Sequence, residues 1–444
     1  MQLLSEPEGA LDEDPSGEAA PKTWADRRFW PALAGITALG LGWRIAYVLA
    51  FTRHENARLY DAAWYELQSL TLANGHFFWV PFEPWPDAAH PPLTSLAITP
   101  VTWLFGLHDA ATPQRLTMAV LGGAVLVVVG LLGRAVAGAR VGLLAALIGA
   151  AYPNFWMPNG IVMSETLTML AVGLVLLATY RLLRAPTWGA AVALGLCCGL
   201  AMLARAELAL LVPFVLVPAT LVVRAGWKRR LGLLGVVLLA TLVVAGPWIG
   251  RNLTAFGDTT LLSTGEGPVL AGANCPATYA GPQLGSWNLT CSMPVPTSTD
   301  QSVVSARQSA AGLRYVRHHL GRLPIVVLAR VGRVWDLYEP IEMAHTDVGE
   351  GRPVPASLAG LYSYYVLMAA GIVGVVVLRK RKIRVWPLLV VAGLVTVVAA
   401  TSYGLVRFRA EFEVALVVLA AAGVDGLWRR VRHAPAPAVS PDLR

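Results

Sequence analysis

The sequence has little charge, little cysteine and almost no lysine. Charged residues make up 14% of its 444 positions, and cysteine and lysine occur four times each. With 56% hydrophobic residues, a soluble protein of this length could not hide its apolar side chains in one core, so a soluble globular protein is excluded. The scarcity of lysine beside abundant arginine, alanine and leucine favours a bacterial source with a GC-rich genome.

Motifs that bind soluble cofactors are also missing. The sequence has no Walker loop, no dinucleotide fingerprint and no Cys/His cluster with the spacing of a zinc site. Nucleotide chemistry is therefore disfavoured. The sequence identifies no specific cofactor, and a divalent metal ion is the candidate that it leaves open.

Basic residues give the chain a net charge of +8. They lie at the ends of apolar runs, where the positive-inside rule places them in a membrane protein. Membrane lipids are therefore expected partners, and nucleic acid is not.

Ten apolar segments have roughly the length needed to cross a bilayer, about 17–25 residues each. Lys22, Arg27 and Arg28 flank the first one and place the N-terminus in the cytoplasm, and the later basic loops place the C-terminus there as well. The predicted transmembrane helices are 29–51, 115–133, 141–158, 161–181, 187–204, 207–223, 231–250, 358–378, 385–403 and 410–428.

Two shorter apolar stretches, 93–107 and 323–336, do not fit as crossings. A crossing at 93–107 would move the basic loop 134–140 to the outside, and 323–336 is interrupted by Arg330 and Arg333. Both are therefore predicted to be juxtamembrane helices on the outer face.

The predicted architecture is an all-α polytopic membrane protein with about ten transmembrane helices, outer-face juxtamembrane helices and a large extracytoplasmic loop. Its predicted parts are a disordered acidic cytoplasmic tail (1–28), a transmembrane core with a catalytic external loop at 52–114 (29–250), an extracytoplasmic loop or lid (251–357), C-terminal transmembrane helices (358–428) and a cytoplasmic tail (429–444).

The four cysteines divide between these parts. Cys275 and Cys291 lie in the extracytoplasmic loop, where an oxidising exterior favours a disulfide. Cys197 and Cys198 lie within a predicted span and are expected to be packing residues.

The loops that the Lys/Arg pattern assigns to the outer side carry most of the unusual polar residues. Charged groups so close to hydrocarbon cost a few kcal/mol each unless they are paired or hydrated, so their collection on one face predicts a functional site. The candidate site residues are Arg58, Asp61, Tyr65, His90, Arg115, Glu165, Arg205, Arg251, Arg407 and Arg409.

Asp61 is the candidate general base. Helical spacing of i and i+4 puts Asp61 and Tyr65 on one face, and a carboxylate at a dry boundary can accept a proton. A simple interfacial ion pair with Arg58 is the competing interpretation. Glu165 begins a span after Ser164, where the helix dipole alone explains a carboxylate, and catalysis or sugar binding is the alternative.

The order of several motifs resembles that of the bacterial GT-C glycosyltransferases, over about residues 30–428. More narrowly, the chain is similar to the polyprenyl-phosphate-sugar-dependent group that includes protein O-mannosyltransferases and lipid A aminoarabinose transferases. The motifs are Asp61 with Tyr65, Gly75, His90-Pro91-Pro92-Leu93, Arg115-Leu116, Ser164-Glu165-Thr166, Pro247-Trp248-Ile249-Gly250-Arg251-Asn252 with Phe256-Gly257, and Arg407-Phe408-Arg409.

The resemblance implies a GT-C-type bundle and an inverting transfer of a sugar from a polyprenyl phosphate to an acceptor hydroxyl. Asp61 occupies the place of the family's aspartate, which deprotonates the acceptor, and His90 would resemble a phosphate contact. Arg251 and Arg407 are the best candidates for phosphate among the arginines, some of which are expected only to snorkel to headgroups. The acceptor would be a lipid, a glycan or a protein.

The site would face the periplasm or exterior from the cytoplasmic (inner) membrane. Nucleotide sugars are cytoplasmic, so the donor should be lipid-linked. A transporter or flippase of a lipid-linked sugar is the main alternative, although such proteins tend to bind substrate near the midplane between repeated halves. A polymerase or ligase of surface polysaccharide is a second one.

Overall fold

Apolar segments that enter a bilayer must satisfy their backbone hydrogen bonds internally, and helices do this. The computed structural model describes residues 24–53, 60–293 and 298–432, and this part of the chain is helical apart from turns and one strand-type pairing of Trp79 with Pro86. The predicted all-α class is confirmed. Most of the predicted 1–28 and 429–444 tails lies outside the described residues.

The α-helices are labelled in chain order. The first nine are α1 (Trp24–Tyr47), α2 (Tyr60–Ala73), α3 (Leu93–Asp109), α4 (Ala111–Ala137), α5 (Ala139–Ala151), α6 (Pro153–Trp156), α7 (Glu165–Arg184), α8 (Trp188–Ala204) and α9 (Val217–Leu221). The next seven are α10 (Trp227–Ala255), α11 (Glu266–Ala273), α12 (Pro276–Tyr279), α13 (Leu289–Ser292), α14 (Gln301–His318), α15 (Leu323–Val334) and α16 (Pro340–Thr346). The last three are α17 (Val354–Lys380), α18 (Trp386–Thr401) and α19 (Ala410–Val431).

Short 3₁₀ and π segments continue or join these helices. The 3₁₀ segments are Met157–Gly160, Ala206–Leu210, Asp347–Glu350 and Val406–Arg409, and the π segments are Val48–Thr52 and Val212–Leu216.

Every predicted span overlaps helical structure, but not every helix is long enough to cross a bilayer alone. In the described part of the chain, five helices have the required length and apolarity, namely α1 with its π continuation, α4, α7, α10 and α17, and α5 with the bent segment behind it would make a sixth. Shorter apolar helices occupy 188–204, 206–221 and 386–401. The number of about ten crossings stays a prediction.

The predicted helix 141–158 is interrupted rather than continuous. α5 ends at Ala151, and the chain bends by 77° into Pro153–Gly160. The ring of Pro153 disfavours helical geometry in the preceding residue, and Tyr152 is extended, with ψ of 120°. The bend points Asn154 at α19, where its Nδ2 donates to Oε1 of Glu413 at 3.1 Å.

The two predicted juxtamembrane segments form separate helices, α3 and α15. The 12 residues of α15 extend about 18 Å, which is too short for a hydrocarbon core of about 30 Å. α3 loses helical geometry at Gly106, where φ is 71°. Their position on the outer face stays a prediction.

α19 is the central helix of the bundle. All of its residues from 410 to 423 are buried, as expected of a helix surrounded by others. α17 packs closely against it because Gly374 and Gly423 lack side chains, and an added Cβ on either glycine would collide with a carbonyl oxygen of the facing helix.

One end of the bundle is basic. Asp425, near the end of α19, is fully buried and pairs with Arg140, Arg381 and Arg429 at N···O distances of 3.0, 3.7 and 2.8 Å. Arg407 immediately precedes the other end of α19. The candidate site and this basic cluster therefore lie at opposite ends of one helix.

The segment 256–353 contains the shorter helices α11 to α16 among its described residues, while 251–255 and 354–357 of the predicted loop belong to α10 and α17. Cys275 and Cys291 form a disulfide in it, which confirms the predicted pairing. Cys197 and Cys198 are free thiols within α8, and Cys198 is fully buried.

Candidate active site

Charged side chains from separate segments meet around Asp61. Its Oδ2 accepts a hydrogen bond from Nη2 of Arg407 at 2.5 Å, and its Oδ1 lies 3.6 Å from Nε2 of His90. Nε of Arg407 lies 3.9 Å from Oε1 of Glu165. Residues far apart in the chain thus form one cluster. Asp61 and Glu165 lie at the N-terminal ends of α2 and α7, and His90 and Arg407 lie in the segments that precede α3 and α19.

Local sequence explains why these side chains stand at helix ends. Asp61 is the second residue of α2 and Glu165 the first of α7, where the positive end of the helix dipole favours a carboxylate. Pro91 and Pro92 delay the start of α3 to Leu93, so His90 remains in the preceding turn.

Tyr65 and Asp61 share a face of α2, as their spacing predicts. The Tyr65 ring lies 4.8 Å from the His90 ring, and the side chain is buried. Burial and the negative charge of Asp61 raise the pKa of Tyr65, against a hydrogen bond to Ser164 that lowers it. Tyr65 is therefore neutral near pH 7 and keeps its hydroxyl proton.

Arg205 adds a second guanidinium to the cluster. Its Nη2 pairs with Oε1 of Glu207 at 2.7 Å, and its guanidinium carbon lies 4.9 Å from the centre of the Phe408 ring. Arg205 also interacts electrostatically with Arg407 and Glu165. Its remaining amino group, Nη1, is buried and makes no hydrogen bond to the described residues.

The electrostatics of the cluster keep Asp61 ionised. Burial raises the pKa of this carboxyl, but Arg407, His90 and Arg205 together outweigh burial and hold the pKa below its usual range. At neutral pH the group is therefore a carboxylate that accepts hydrogen bonds, and the cations that keep it ionised also lower its proton affinity.

Arg409 does not join this cluster. It is enclosed in the core, where its Nη1 bonds Oδ2 of Asp336 at 2.5 Å and its Nε bonds Oε1 of Glu413 at 2.8 Å. Its guanidinium carbon lies 3.5 Å from the centre of the Tyr364 ring. Its guanidinium is therefore paired with two protein carboxylates outside the Asp61 cluster.

Arg251 and Arg115 are directed to backbone carbonyls. Arg251 donates to Phe78 and Asp87 at 2.8 and 2.9 Å, which fastens the external loop to the end of α10. Arg115 donates to the carbonyl of Thr52 at the end of the first helix. The remaining candidate, Arg58, lies outside the described residues.

Sequence reasoning gave little weight to two residues that the fold brings to the cluster, Glu207 and Glu411. Both interact electrostatically with Arg205. Glu207 follows Arg205 by two positions, and Glu411 lies in the first turn of a predicted span. The sequence does not reveal that Glu411 is buried, with only 1% of its surface exposed.

A metal ion has no ready-made site in the described part of the chain, where no group of three or more His, Cys, Asp or Glu side chains could hold one. Asp61 and Glu165 flank a guanidinium instead. A divalent metal ion therefore stays a prediction without a named ligand set.

Comparison with known proteins bears on the fold. Residues 89–249 match the model of the dolichyl-phosphate-mannose-protein mannosyltransferase family. The fold is similar to that of the archaeal oligosaccharyltransferase AglB from Archaeoglobus fulgidus in complex with an inhibitory peptide and a dolichol-phosphate, with a TM-score of 0.55 and 16% identity over 94% of this chain and 53% of that one. The chain has the GT-C fold of membrane glycosyltransferases. The predicted resemblance is thereby confirmed for the fold.

Other solved structures extend the comparison. AglB tethered to an acceptor peptide that contains the NVT sequon matches with a TM-score of 0.56 and 17% identity, over 93% of this chain and 51% of that one. ArnT from Cupriavidus metallidurans bound to undecaprenyl phosphate has a TM-score of 0.43 and 16% identity, over 90% and 78%. This chain spans about half the length of AglB. No curated protein matches its sequence.

Proposed function

We propose that this chain transfers a sugar from a polyprenyl-phosphate carrier to an acceptor hydroxyl, with inversion, at the outer face of the cytoplasmic membrane. The observation that carries the proposal is the direct contact between Asp61 and Arg407 within one cluster of helix ends. It supplies what such a transfer needs, a base for the acceptor beside cations for the phosphate.

The proposed reaction is a single displacement. The acceptor oxygen forms a bond to the anomeric carbon while the bond from that carbon to the phosphate oxygen breaks. The acceptor's proton passes to the carboxylate of Asp61, and the bonding electrons leave with the polyprenyl phosphate. Because attack and departure occur on opposite faces of the ring, the configuration inverts.

Arg205 and Arg407 are the proposed partners of the leaving phosphate. Nη1 of Arg205 is a buried donor that makes no hydrogen bond to the described residues, and a phosphate oxygen would satisfy it. A guanidinium held in place before the reaction stabilises charge that grows on the phosphate in the transition state. His90, beside Asp61, is the third proposed contact.

The charge distribution supports the outer location. The opposite end of the bundle carries Arg140, Arg381 and Arg429, and the positive-inside rule assigns such an end to the cytoplasm. Nucleotide sugars are not available on the outer side, so a lipid-linked donor follows. The dolichol-phosphate in the AglB complex supports a polyprenyl carrier.

The segment 251–357 is the proposed lid or acceptor-recognition element. The backbone N–H of Thr264 donates to the carbonyl of Ala88 at 2.7 Å, and Oγ of Ser263 donates to the carbonyl of Ala89 at 2.7 Å. These bonds join the segment to the turn that carries His90. The acceptor itself can be a lipid, a glycan or a protein.

The test is Asp61→Asn in membranes supplied with polyprenyl-phosphate sugars. Transfer should fall by about 10²–10⁴-fold because the proton acceptor is lost, while donor binding is retained. Asp109→Asn, which removes an exposed carboxylate from the same external loop, is the matched control and should transfer normally. Unchanged turnover in Asp61→Asn would remove the base assignment.

The same assay separates transfer from transport. A transferase releases sugar-free polyprenyl phosphate in step with the glycosylated acceptor. A flippase would move the intact carrier and release none. Release of sugar-free carrier that requires Asp61 would therefore exclude the transporter alternative.

A further inference from the structure

Two carboxylates beside the candidate site have no part in the proposed displacement. Glu411 lies in the first turn of α19 at 1% exposure, and neither of its carboxyl oxygens makes a hydrogen bond to the described residues. Glu207 lies across Arg205 in the 3₁₀ segment that follows α8. A buried carboxyl without a partner is costly, so its retention calls for another explanation.

Arg205 connects the two carboxylates. Its Nη2 is 2.7 Å from Oε1 of Glu207, and it also interacts electrostatically with Glu411. One guanidinium thus faces two carboxyls from different elements, while Arg407 faces Asp61 and Glu165.

Acid exceeds base in the whole cluster. Asp61, Glu165, Glu207 and Glu411 share two guanidinium groups, and only Glu411 lacks a cation within ion-pair distance among the described residues. A group that both donates and accepts hydrogen bonds would satisfy it, because a buried carboxyl is an acceptor when ionised and also a donor when protonated. Its position beside Arg205 brings such a group close to the proposed phosphate site.

The three parts of a polyprenyl-phosphate sugar differ in what they offer. The phosphate is an anion and would be repelled by carboxylates, and the prenyl chain has no donor. Only the sugar carries several hydroxyl groups that can donate. We infer that Glu207 and Glu411 form a subsite that binds hydroxyl groups of the donor's sugar ring, an inference that rests on the proposed transfer function.

The experiment measures the affinity that the sugar adds to the carrier. Purified full-length protein is titrated, without acceptor, with undecaprenyl phosphate and with its mannosyl, glucosyl and arabinosyl derivatives. The ratio of the affinity for the best sugar-bearing carrier to that for the bare carrier is the readout. Glu411→Leu and Glu207→Gln should each lower this ratio by about tenfold, as expected for a lost charge-assisted hydrogen bond, without weakening the bare carrier.

Glu413→Gln is the matched control, because Glu413 is a buried glutamate of the same helix that pairs with Arg409 instead. It should reduce thermal stability and leave the ratio unchanged. Glu207→Gln keeps the inference testable if Glu411→Leu does not fold, since the Glu207 side chain is 22% exposed.

Each outcome has one meaning. The subsite is refuted if the wild type gains no affinity from any of the sugars, or if both variants retain its full gain. Failure of undecaprenyl phosphate itself to bind would instead contradict the proposed carrier and with it the proposed function.

Discussion

Arg407 and Arg409 are two positions apart, yet they belong to ion-pair clusters of opposite character. The Arg409 side chain is 1% exposed and is held by Asp336 and Glu413, whose side chains are 3% and 2% exposed. The Arg407 side chain is 13% exposed and bonds Asp61, which is 24% exposed. The first cluster is closed, whereas the second can admit another molecule.

The short 3₁₀ segment Val406–Arg409 produces this difference. At three residues per turn, residues two positions apart point in different directions, so the two guanidinium groups diverge. A closed ion pair holds helices together, and an open one leaves donors and acceptors for a ligand. Arg409 therefore has a structural role and Arg407 can bind a ligand, because different residues surround the two guanidinium groups.

The largest expected effect comes from breaking the closed cluster. Arg409→Gln leaves Asp336 and Glu413 as buried carboxylates without their cation, which should lower the free energy of unfolding by about 3–5 kcal/mol. Denaturation of the purified protein in detergent measures this. If Arg409→Gln kept its full stability but lost donor binding, Arg409 would belong to the open cluster and the distinction between the two arginines would be wrong.

Breaking the open cluster should affect transfer instead. Arg407→Gln removes the cation that bonds Asp61 and faces the leaving phosphate, so transfer should fall by about 10²–10³-fold, comparable with the loss of one transition-state donor. Unfolding should change far less than in Arg409→Gln. Arg407→Lys, which keeps the charge, should recover part of the rate. An Arg407→Gln variant that transfers at the wild-type rate would contradict the assignment.

A third arginine, Arg251, sharpens the comparison because two of its three hydrogen bonds go to backbone carbonyls of the external loop. Arg251→Gln removes three hydrogen bonds, to the carbonyls of Phe78 and Asp87 and to Oδ1 of Asn252, and should cost about 1–3 kcal/mol of stability. Proteolysis of the external loop should become faster, since the loop loses its attachment to α10. A loss of carrier affinity without faster proteolysis would favour the alternative in which Arg251 contacts phosphate.

The smallest expected effect is a shift in pH dependence. Burial raises the pKa of Asp61, and Arg407 is the strongest influence that lowers it below the ordinary value. The ion pair therefore contributes stability above about pH 4, which is lost as the pH falls through the lowered pKa. In Arg407→Gln the acidic limb of the residual transfer rate should move to higher pH, and an unmoved limb would show that Arg407 does not set the pKa.

Part of the site could be predicted from local sequence. The i and i+4 spacing of Asp61 and Tyr65 fixed their common face, and the two prolines after His90 fixed where the next helix begins. Both signals depend on backbone geometry within a few residues. The pattern of basic loops predicted that these residues lie at the same end of the bundle.

Other features required the folded structure. The directions of Arg407 and Arg409 depend on a short 3₁₀ segment that hydrophobic periodicity does not reveal. The burial of Glu411 depends on how the surrounding helices close around α19. The bend after Ala151 had a local signal in Pro153, but a continuous apolar run concealed it.

The central claim is that the Asp61–Arg407 cluster is the place where a prenyl carrier's phosphate binds. A cryo-EM structure of the protein with undecaprenyl phosphate tests it most directly. The account predicts phosphate oxygens within hydrogen-bond distance of Arg205 and Arg407, with the prenyl chain directed into the bilayer. Phosphate density at the basic cluster around Asp425, with none beside Arg407, would contradict it.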